Sequence, residues 1–256
     1  MNTRHGRGFV TRWRQRVEEA PGSLLRRGIE VWNRFVLRRL PPVDPSTPPD
    51  LREILEHART PTDISHHLPT LFRMALETHP RLIVELGTRG GDSTFVFERV
   101  ARRTGAVLVS VDIADCSGVG SMPGWLFVQE DDLAFARYFP SWCAERGLAP
   151  EIQVLFVDTT HAYEQTRAEL AAWMPYLAPG GRAIFHDSNL GGLYRRGDGT
   201  VGLAGDTERG VIRALHEYLG ASFDERRPFR GILGGFEVWH DPQCNGMTVI
   251  MKGCGT

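Results

Sequence analysis

Lysine is almost missing from this chain: Lys252 is the only one among 30 basic residues. Such a bias follows codon usage and says nothing about activity. Cysteine pairs are missing too, since Cys116, Cys143, Cys244 and Cys254 form no CxxC spacing. Lone thiols in a chain this long fit a reducing compartment and argue against a disulfide framework, so a cytoplasmic location is expected. No apolar run approaches the roughly 20 residues of a membrane span. Arginines interrupt the N-terminal apolar residues every few positions, which does not fit a signal peptide. Net charge is also small, at −1, but the average hides an asymmetry. Residues 1–40 hold ten Arg against three Glu, about +7, which leaves the remainder near −8. An acidic body argues against nucleic acid as the principal partner.

What the chain does have is length and apolar content. With 256 residues, 41% of them hydrophobic, it fits one α/β domain or one domain with an extension. Five prolines in "LPPVDPSTPPD", Leu40–Asp50, favour an extended spacer. The reading is a basic helical arm over 1–40, a spacer over 41–50 and a main domain over 51–256. In the arm, Leu25, Ile29, Trp32, Val36 and Leu40 recur at helical spacing among arginines. Such a helix either lies on an anionic membrane surface or packs on its own domain or a second subunit, giving a homo-oligomer.

Beyond the spacer, helical periodicity over 50–59 and 63–78 precedes alternating strands and helices. Strand-like runs are 82–86, 107–112, 126–128, 153–158 and 182–187, with helical stretches over 93–103, 133–146 and 162–177. Near-continuous apolar strands between helices imply a parallel sheet covered on both faces. "FEVWHD" and "MTVIMK" are joined only by "PQCNG", too short for a parallel crossover, so they form an antiparallel hairpin. The expectation is a doubly wound, Rossmann-like, mostly parallel seven-stranded sheet ending in that hairpin.

The stretch "LIVELGTRGGDST" carries the first functional signal. A dinucleotide fold wants G-x-G-x-x-G so that amides and a helix N-terminus face a pyrophosphate. Gly87, Gly90 and Gly91 miss that spacing, and the strand delivers an acid, Glu85, just before the turn. An acid there suits a ligand with positive charge, such as the sulfonium and ammonium of S-adenosylmethionine. The second strand ends in Asp112, where a carboxylate can accept from both ribose hydroxyls.

Four stretches then carry a family resemblance: "VELGTRGGDST", "VSVDIADC", "DTTHAYEQTRAELAAWMPYLAPGGRAIFHDSN" and "RGVIRALHEYLG". Over roughly residues 60–252 the chain resembles class I S-adenosylmethionine-dependent methyltransferases. The nearer likeness is to the branch of macrocin O-methyltransferase-like and cephalosporin hydroxylase-like proteins. The resemblance implies that Glu85, Gly87, Thr88, Gly91 and Ser93 surround the methionine end. It puts Asp112 on the ribose with Ile113 beside it, and Asp131 and Asp132 near the adenine amino group. Acids before Leu133 also suit a helix N-terminus, so one of that pair caps and the other reads adenine.

Chemistry is expected beyond the fourth and fifth strands, at the carboxyl edge of the sheet. "FVDTTHAYE" presents Asp158 and His161; "IFHDSN" presents His186, Asp187 and Asn189. The resemblance implies that Asp158 and Asp187 hold Mg²⁺ and that His161 is the base. Hard cations prefer oxygen ligands, so His186, if it joins the ligand set, departs from an all-oxygen site. Asp158 could instead cap the following helix, and His161 could be a surface residue of its first turn. His66 and His67 read as helix-face residues. The glycine-rich loop 189–210, ending at Thr207 as an N-cap, would cover the acceptor pocket and bring Arg195, Arg196 and Asp198 near substrate. The implied activity is O-methylation of a small-molecule hydroxyl, a sugar of a natural product or glycolipid. The alternatives are a hydroxylase-type or oxygenation-partner protein on the same scaffold, and a non-catalytic S-adenosylmethionine-binding protein.

Overall fold

A computed structural model describes residues 24–204 and 208–253. Residues 1–23 of the arm, the expected cap Thr207 and Cys254 lie outside those residues. The first elements are helices α1 (Leu24–Leu37), α2 (Pro49–His57) and α3 (Leu68–Glu77), with a 3₁₀ turn at Ser65–His67 before α3. Strand β1 (Leu82–Leu86) follows, buried at all five positions. Helix α4 (Asp92–Thr104) opens and closes on left-handed glycines, Gly91 and Gly105. Next come β2 (Val107–Asp112), β3 (Trp125–Gln129), two short helices α5 (Asp132–Ala136) and α6 (Phe139–Ala144), and β4 (Ile152–Val157). Helix α7 (Tyr163–Trp173) leads to β5 (Leu177–His186). A two-stranded ribbon, β6 (Leu193–Arg195) with β7 (Val201–Leu203), precedes α8 (Gly210–Leu219). The chain ends in β8 (Phe229–Leu233), β9 (Phe236–Asp241) and β10 (Met247–Met251).

The main sheet runs β3-β2-β1-β4-β5-β10-β9-β8. Its first five strands are parallel and its last three antiparallel. The doubly wound sheet and the β9–β10 hairpin agree with the sequence reading. The sheet has eight strands, however, not seven. Phe229–Leu233 carries a weak strand signal in the sequence, being short, half-exposed and interrupted by Arg230 and Gly231; among the described residues it is held at the edge by pairing with β9. The helix expected over 133–146 is broken in two at Arg137–Tyr138, just before Pro140.

Two apolar layers cover the sheet. One packs Phe135, Phe139, Trp142, Trp173 and Leu215 from α5–α8, and the other packs Ile54, Leu71, Phe72, Phe97 and Val100 from α2–α4. The chain winds outward through β2 and β3, then returns to place β4 on the other side of β1. That reversal opens a crevice at the carboxyl ends of β1 and β4, where open α/β sheets bind ligands. The Asp158 amide donates to the Leu86 carbonyl at 2.9 Å, and a Cβ on Gly87 would stand 2.1 Å from the Asp158 carbonyl oxygen. Gly87 has φ +86°, so only glycine fits both the turn and this approach.

Candidate active site

Two adjoining cavities occupy the crevice. The first, about 400 Å³, is lined by Gly87, Arg89, Asp112, Ile113, Glu130–Asp132, Asp158–Thr160 and Gln165. The second, about 300 Å³, is lined by Thr62, Ile64, Gly87–Ser93, Asp158, Thr159 and His161. The candidate cofactor residues therefore divide. Asp112, Ile113, Asp131 and Asp132 face the first cavity, Thr88, Gly91 and Ser93 the second, and Gly87 both.

Glu85 lines neither. It is fully buried behind the turn, where its Oε2 accepts from Thr94 (2.8 Å) and Ser110 (2.5 Å) while Oε1 has no partner. Ser93, which does face the second cavity, also lowers the pKa of Glu85, as Ser110 and Thr94 do. Burial outweighs these bonds and pushes Glu85 up to about 7. Asp112 is likewise partly committed. Its Oδ2 accepts from the Thr88 and Arg89 amides at 2.8 and 3.1 Å, and its Oδ1 from Ala114, so it clamps the glycine turn.

The acids after β3 separate, one of them as the expected cap and the other turned away from the expected adenine role. Asp131 caps α5, accepting from the Ala134 amide at 2.9 Å. Asp132 is buried and turns inward: Gln165 Nε2 donates to its Oδ1 at 3.0 Å, and Trp173 Nε1 to its Oδ2 at 3.3 Å. Gln165 Nε2 also donates to Glu169 Oε1 at 3.0 Å. Both amide hydrogens of Gln165 are thereby used, which leaves its Oε1 as the acceptor available to the first cavity. Burial, then the charge of Asp131, raises Asp132 to about 6, and burial, then the charge of Asp132, raises Glu169 to about 7.

These three raised acids give a pH prediction. Below about pH 4 folded and unfolded chains both hold the protons; as pH climbs to 7 the unfolded chain releases them first, so stability falls. Glu85→Gln is expected to flatten that decline and to raise Tm by several degrees at pH 8. Thermal melts from pH 4 to 8 check it, and an unchanged slope would mean that Glu85 ionises freely.

The catalytic candidates converge. His161 Nε2 lies 2.7 Å from Asp187 Oδ2 and 3.4 Å from Asp158 Oδ1. His186 Nδ1 lies 3.3 Å from each of the same two oxygens. His161 and Asp187 both hold left-handed backbones, φ +61° and +56°, which β-carbon-bearing residues adopt at a cost and which cluster at functional sites. Burial opposes a charge on His161, but its hydrogen bonding to Asp158 and Asp187, which accept, holds it up to about 10. Burial would raise both carboxyls, yet the charge of His186 and hydrogen bonds from both imidazoles keep them below the usual range. Two carboxylates are thus compensated by imidazolium.

Ligand atoms of Asp158, His161 and Asp187 lie within 4.8 Å of one another, a group that could hold a cation. Asp187 Oδ1 is buried with no partner among the described residues, so one ligand oxygen is ready for it. This group contains His161; His186 stands behind it, with its Nε2 unpartnered and its ring edge-on to His67 at 5.7 Å. Two carboxylates and one imidazole are not the two-histidine, one-carboxylate set of the oxygenases.

Other residues meet differently from the sequence reading. His66, His67 and Asp241 form a second close group. His66 is fully used, with its Nδ1 accepting from the Gly197 amide and its Nε2 facing Asp241. Arg196 is a buried strut: its guanidinium bonds Thr62 O, Thr200 Oγ1, Val201 O and Tyr194 Oη. Asp198 turns back onto Thr200. Arg89, Thr62, Thr159 and Gln165 were not singled out from sequence. Arg89 sits inside the glycine turn, a placement the sequence does show, and there it takes φ +42°; its guanidinium grips both Asp63 oxygens at 2.6 and 2.7 Å.

Residues 84–188 match a family described as a methyltransferase domain. The chain is 29% identical to the rhamnosyl O-methyltransferase of Mycobacterium leprae over 121 residues, which is 46% of this chain and 52% of that protein. It therefore spans about half the length of the curated relative it matches. Among solved structures it resembles the MycE methyltransferase of the mycinamycin pathway, solved with Mg, SAH and mycinamycin VI. The identity is 21% and the TM-score 0.52, covering 81% of this chain and 56% of that one. At that identity the likeness is one of fold.

Proposed function

We propose that this chain, in which residues 84–188 form a methyltransferase domain of the class I fold, moves a methyl group from S-adenosylmethionine to a sugar hydroxyl of a small molecule. The observation that carries the reading is the convergence of His161, Asp158 and Asp187 at the rim of the crevice lined by the glycine turn and Asp112. The sugar follows from the rhamnosyl O-methyltransferase it matches over about half that protein's length.

When bound, S-adenosylmethionine supplies an electrophilic methyl on sulfur, so the protein's work is alignment and proton removal. The turn Gly87–Ser93 offers the Thr88 hydroxyl, and those amides not already bonded to Asp112 or the backbone, to the methionine end, and the buried Oε1 of Glu85 lies behind it as a free acceptor among the described residues. Asp112 offers its remaining lone pairs to the ribose while holding the turn. At the adenine end the reading falls to Gln165, whose carbonyl matches an exocyclic amino group.

Asp158 and Asp187 fit a divalent cation, which would supply positive charge that lowers the pKa of the acceptor hydroxyl. With those carboxylates engaged, His161 loses the partners that hold its proton and can accept the one released by the acceptor oxygen.

Two measurements test this. Incubation with methyl-labelled S-adenosylmethionine and a panel of rhamnosides should move label to sugar oxygen; a chain that moves none to any hydroxyl overturns the activity. Calorimetry should show S-adenosylhomocysteine binding at micromolar Kd or tighter, roughly 8 kcal/mol. Gln165→Leu is expected to weaken it about tenfold, the value of one hydrogen bond at the upper end. It should also erase discrimination against the 6-oxo analogue S-inosylhomocysteine. If wild type binds both analogues equally, adenine is not read at Gln165.

A further inference from the structure

Helix α1 presents two apolar faces, and the domain uses only one. At about 100° per residue, Ile29, Asn33, Val36 and Leu37 share the partly buried side. Asn33 exchanges hydrogen bonds with Val201 in both directions at 2.9 Å, and Trp32 Nε1 donates to the Gly199 carbonyl at 3.0 Å, tying the helix to the β6–β7 ribbon. Leu24, Leu25, Val31, Trp32 and Phe35 fall within a second arc about 120° wide on the same geometry. Apart from the Trp32 indole nitrogen, that arc is left largely open among the described residues: Leu24 is 88% and Val31 67% exposed, and the other three are about half exposed. Five large apolar side chains on one exposed helix face form a patch that calls for a partner.

We propose that this face docks the protein on an anionic membrane surface. Charge decides between occupants. Arg27, Arg34 and Arg38 fall in one row along the flank of the arc, and no acid lies within the arc. Residues 1–40 carry about +7 while the remainder carries about −8. An interfacial helix needs this arrangement, apolar residues with an aromatic at the centre and arginines beside them, facing anionic headgroups. Pairing the same face with a second copy about a two-fold axis would bring arginine rows of like charge together.

The location gives docking a use. Ile29 and Asn33 line a third cavity, about 400 Å³, together with Thr62, Arg89 and Tyr194. Thr62 and Arg89 also line the cavity that holds His161. On the reading of the activity given above, an acceptor whose sugar projects from a lipid surface would enter beside α1 and reach His161 past the Arg89–Asp63 pair.

The test uses the full chain and vesicles of phosphatidylcholine, alone or mixed with phosphatidylglycerol. Sedimentation should bring the protein down with the mixed vesicles only, less so as salt rises. Leu24→Ser with Val31→Ser and Phe35→Ser should weaken binding at least tenfold. Arg27→Gln with Arg34→Gln and Arg38→Gln should weaken it about a hundredfold, while both leave Tm and S-adenosylhomocysteine affinity unchanged. No binding to either vesicle overturns the proposal, as does binding that the apolar variant leaves intact. A dimer in analytical ultracentrifugation that the apolar variant dissociates, without vesicle binding, assigns the face to a second copy. Vesicle binding requires no cofactor, so its failure is distinct from failure of the methyltransferase reading, which calorimetry reports.

Discussion

Replacing His161 with alanine is expected to lower kcat about 10²- to 10⁴-fold, the usual contribution of a general base, with S-adenosylhomocysteine affinity changed only slightly. The imidazole touches both Asp187 and Asp158, and it lines only the second cavity, away from the residues proposed to hold ribose and adenine. Asp158→Asn should be as damaging, for a different reason. It removes the negative charge shared by His161 and His186 and one of the two carboxylates that fit a cation. Binding of Mn²⁺, followed by electron paramagnetic resonance, should therefore weaken in Asp158→Asn and survive in Gln165→Leu. Labelled-methyl transfer in EDTA separates the roles. Full activity in EDTA with an inactive His161→Ala removes the cation and keeps the base. Full activity in both moves the chemistry to another group, with His186 the nearest.

Gly87→Ala should be the most disruptive single methyl in the domain. Its Cβ would stand 2.1 Å from a backbone oxygen at Asp158, where no side chain can move aside, and φ is +86°. A left-handed backbone costs a β-carbon about 1–2 kcal/mol, and the overlap adds more by forcing apart the ends of β1 and β4. S-adenosylhomocysteine binding should fall more than a hundredfold and Tm should drop by many degrees. Gly90→Ala is the control, since a Cβ there meets nothing within 4 Å and should leave Tm alone. Equal melting temperatures for the two variants would mean that the close approach of the strand ends is absent in solution.

Much of the site was legible because strand ends are legible. Asp112, Asp158 and Asp187 each follow an apolar run, and the sheet order then sets those ends side by side. The depth of each group was not legible. Glu85 looked like a ligand contact, but it alternates with its neighbours on β1 toward Thr94 and Ser110 and so sits beneath the turn. Of the two acids before α5, one was expected to cap, as Asp131 does, and the other to read adenine, whereas Asp132 turns inward to Gln165 and Trp173. Gln165 itself lies 33 residues from Asp132 in the chain and meets it only in space.

The parallel strands, the glycine turn, the bounds of α4 to within a residue and the terminal hairpin can be read from local sequence, because each depends on residues within one or two turns of chain. Apolar runs, left-handed glycines at Gly91 and Gly105, and the five-residue connection "PQCNG" act locally. Tertiary structure decided which histidine joins the carboxylates. His161 and His186 follow neighbouring strands, and only the left-handed turns at His161 and Asp187 swing the first imidazole between Asp187 and Asp158. It also decided which face of α1 is spent on the β6–β7 ribbon and which is left in water, a choice made by Asn33 meeting Val201 across more than half the chain.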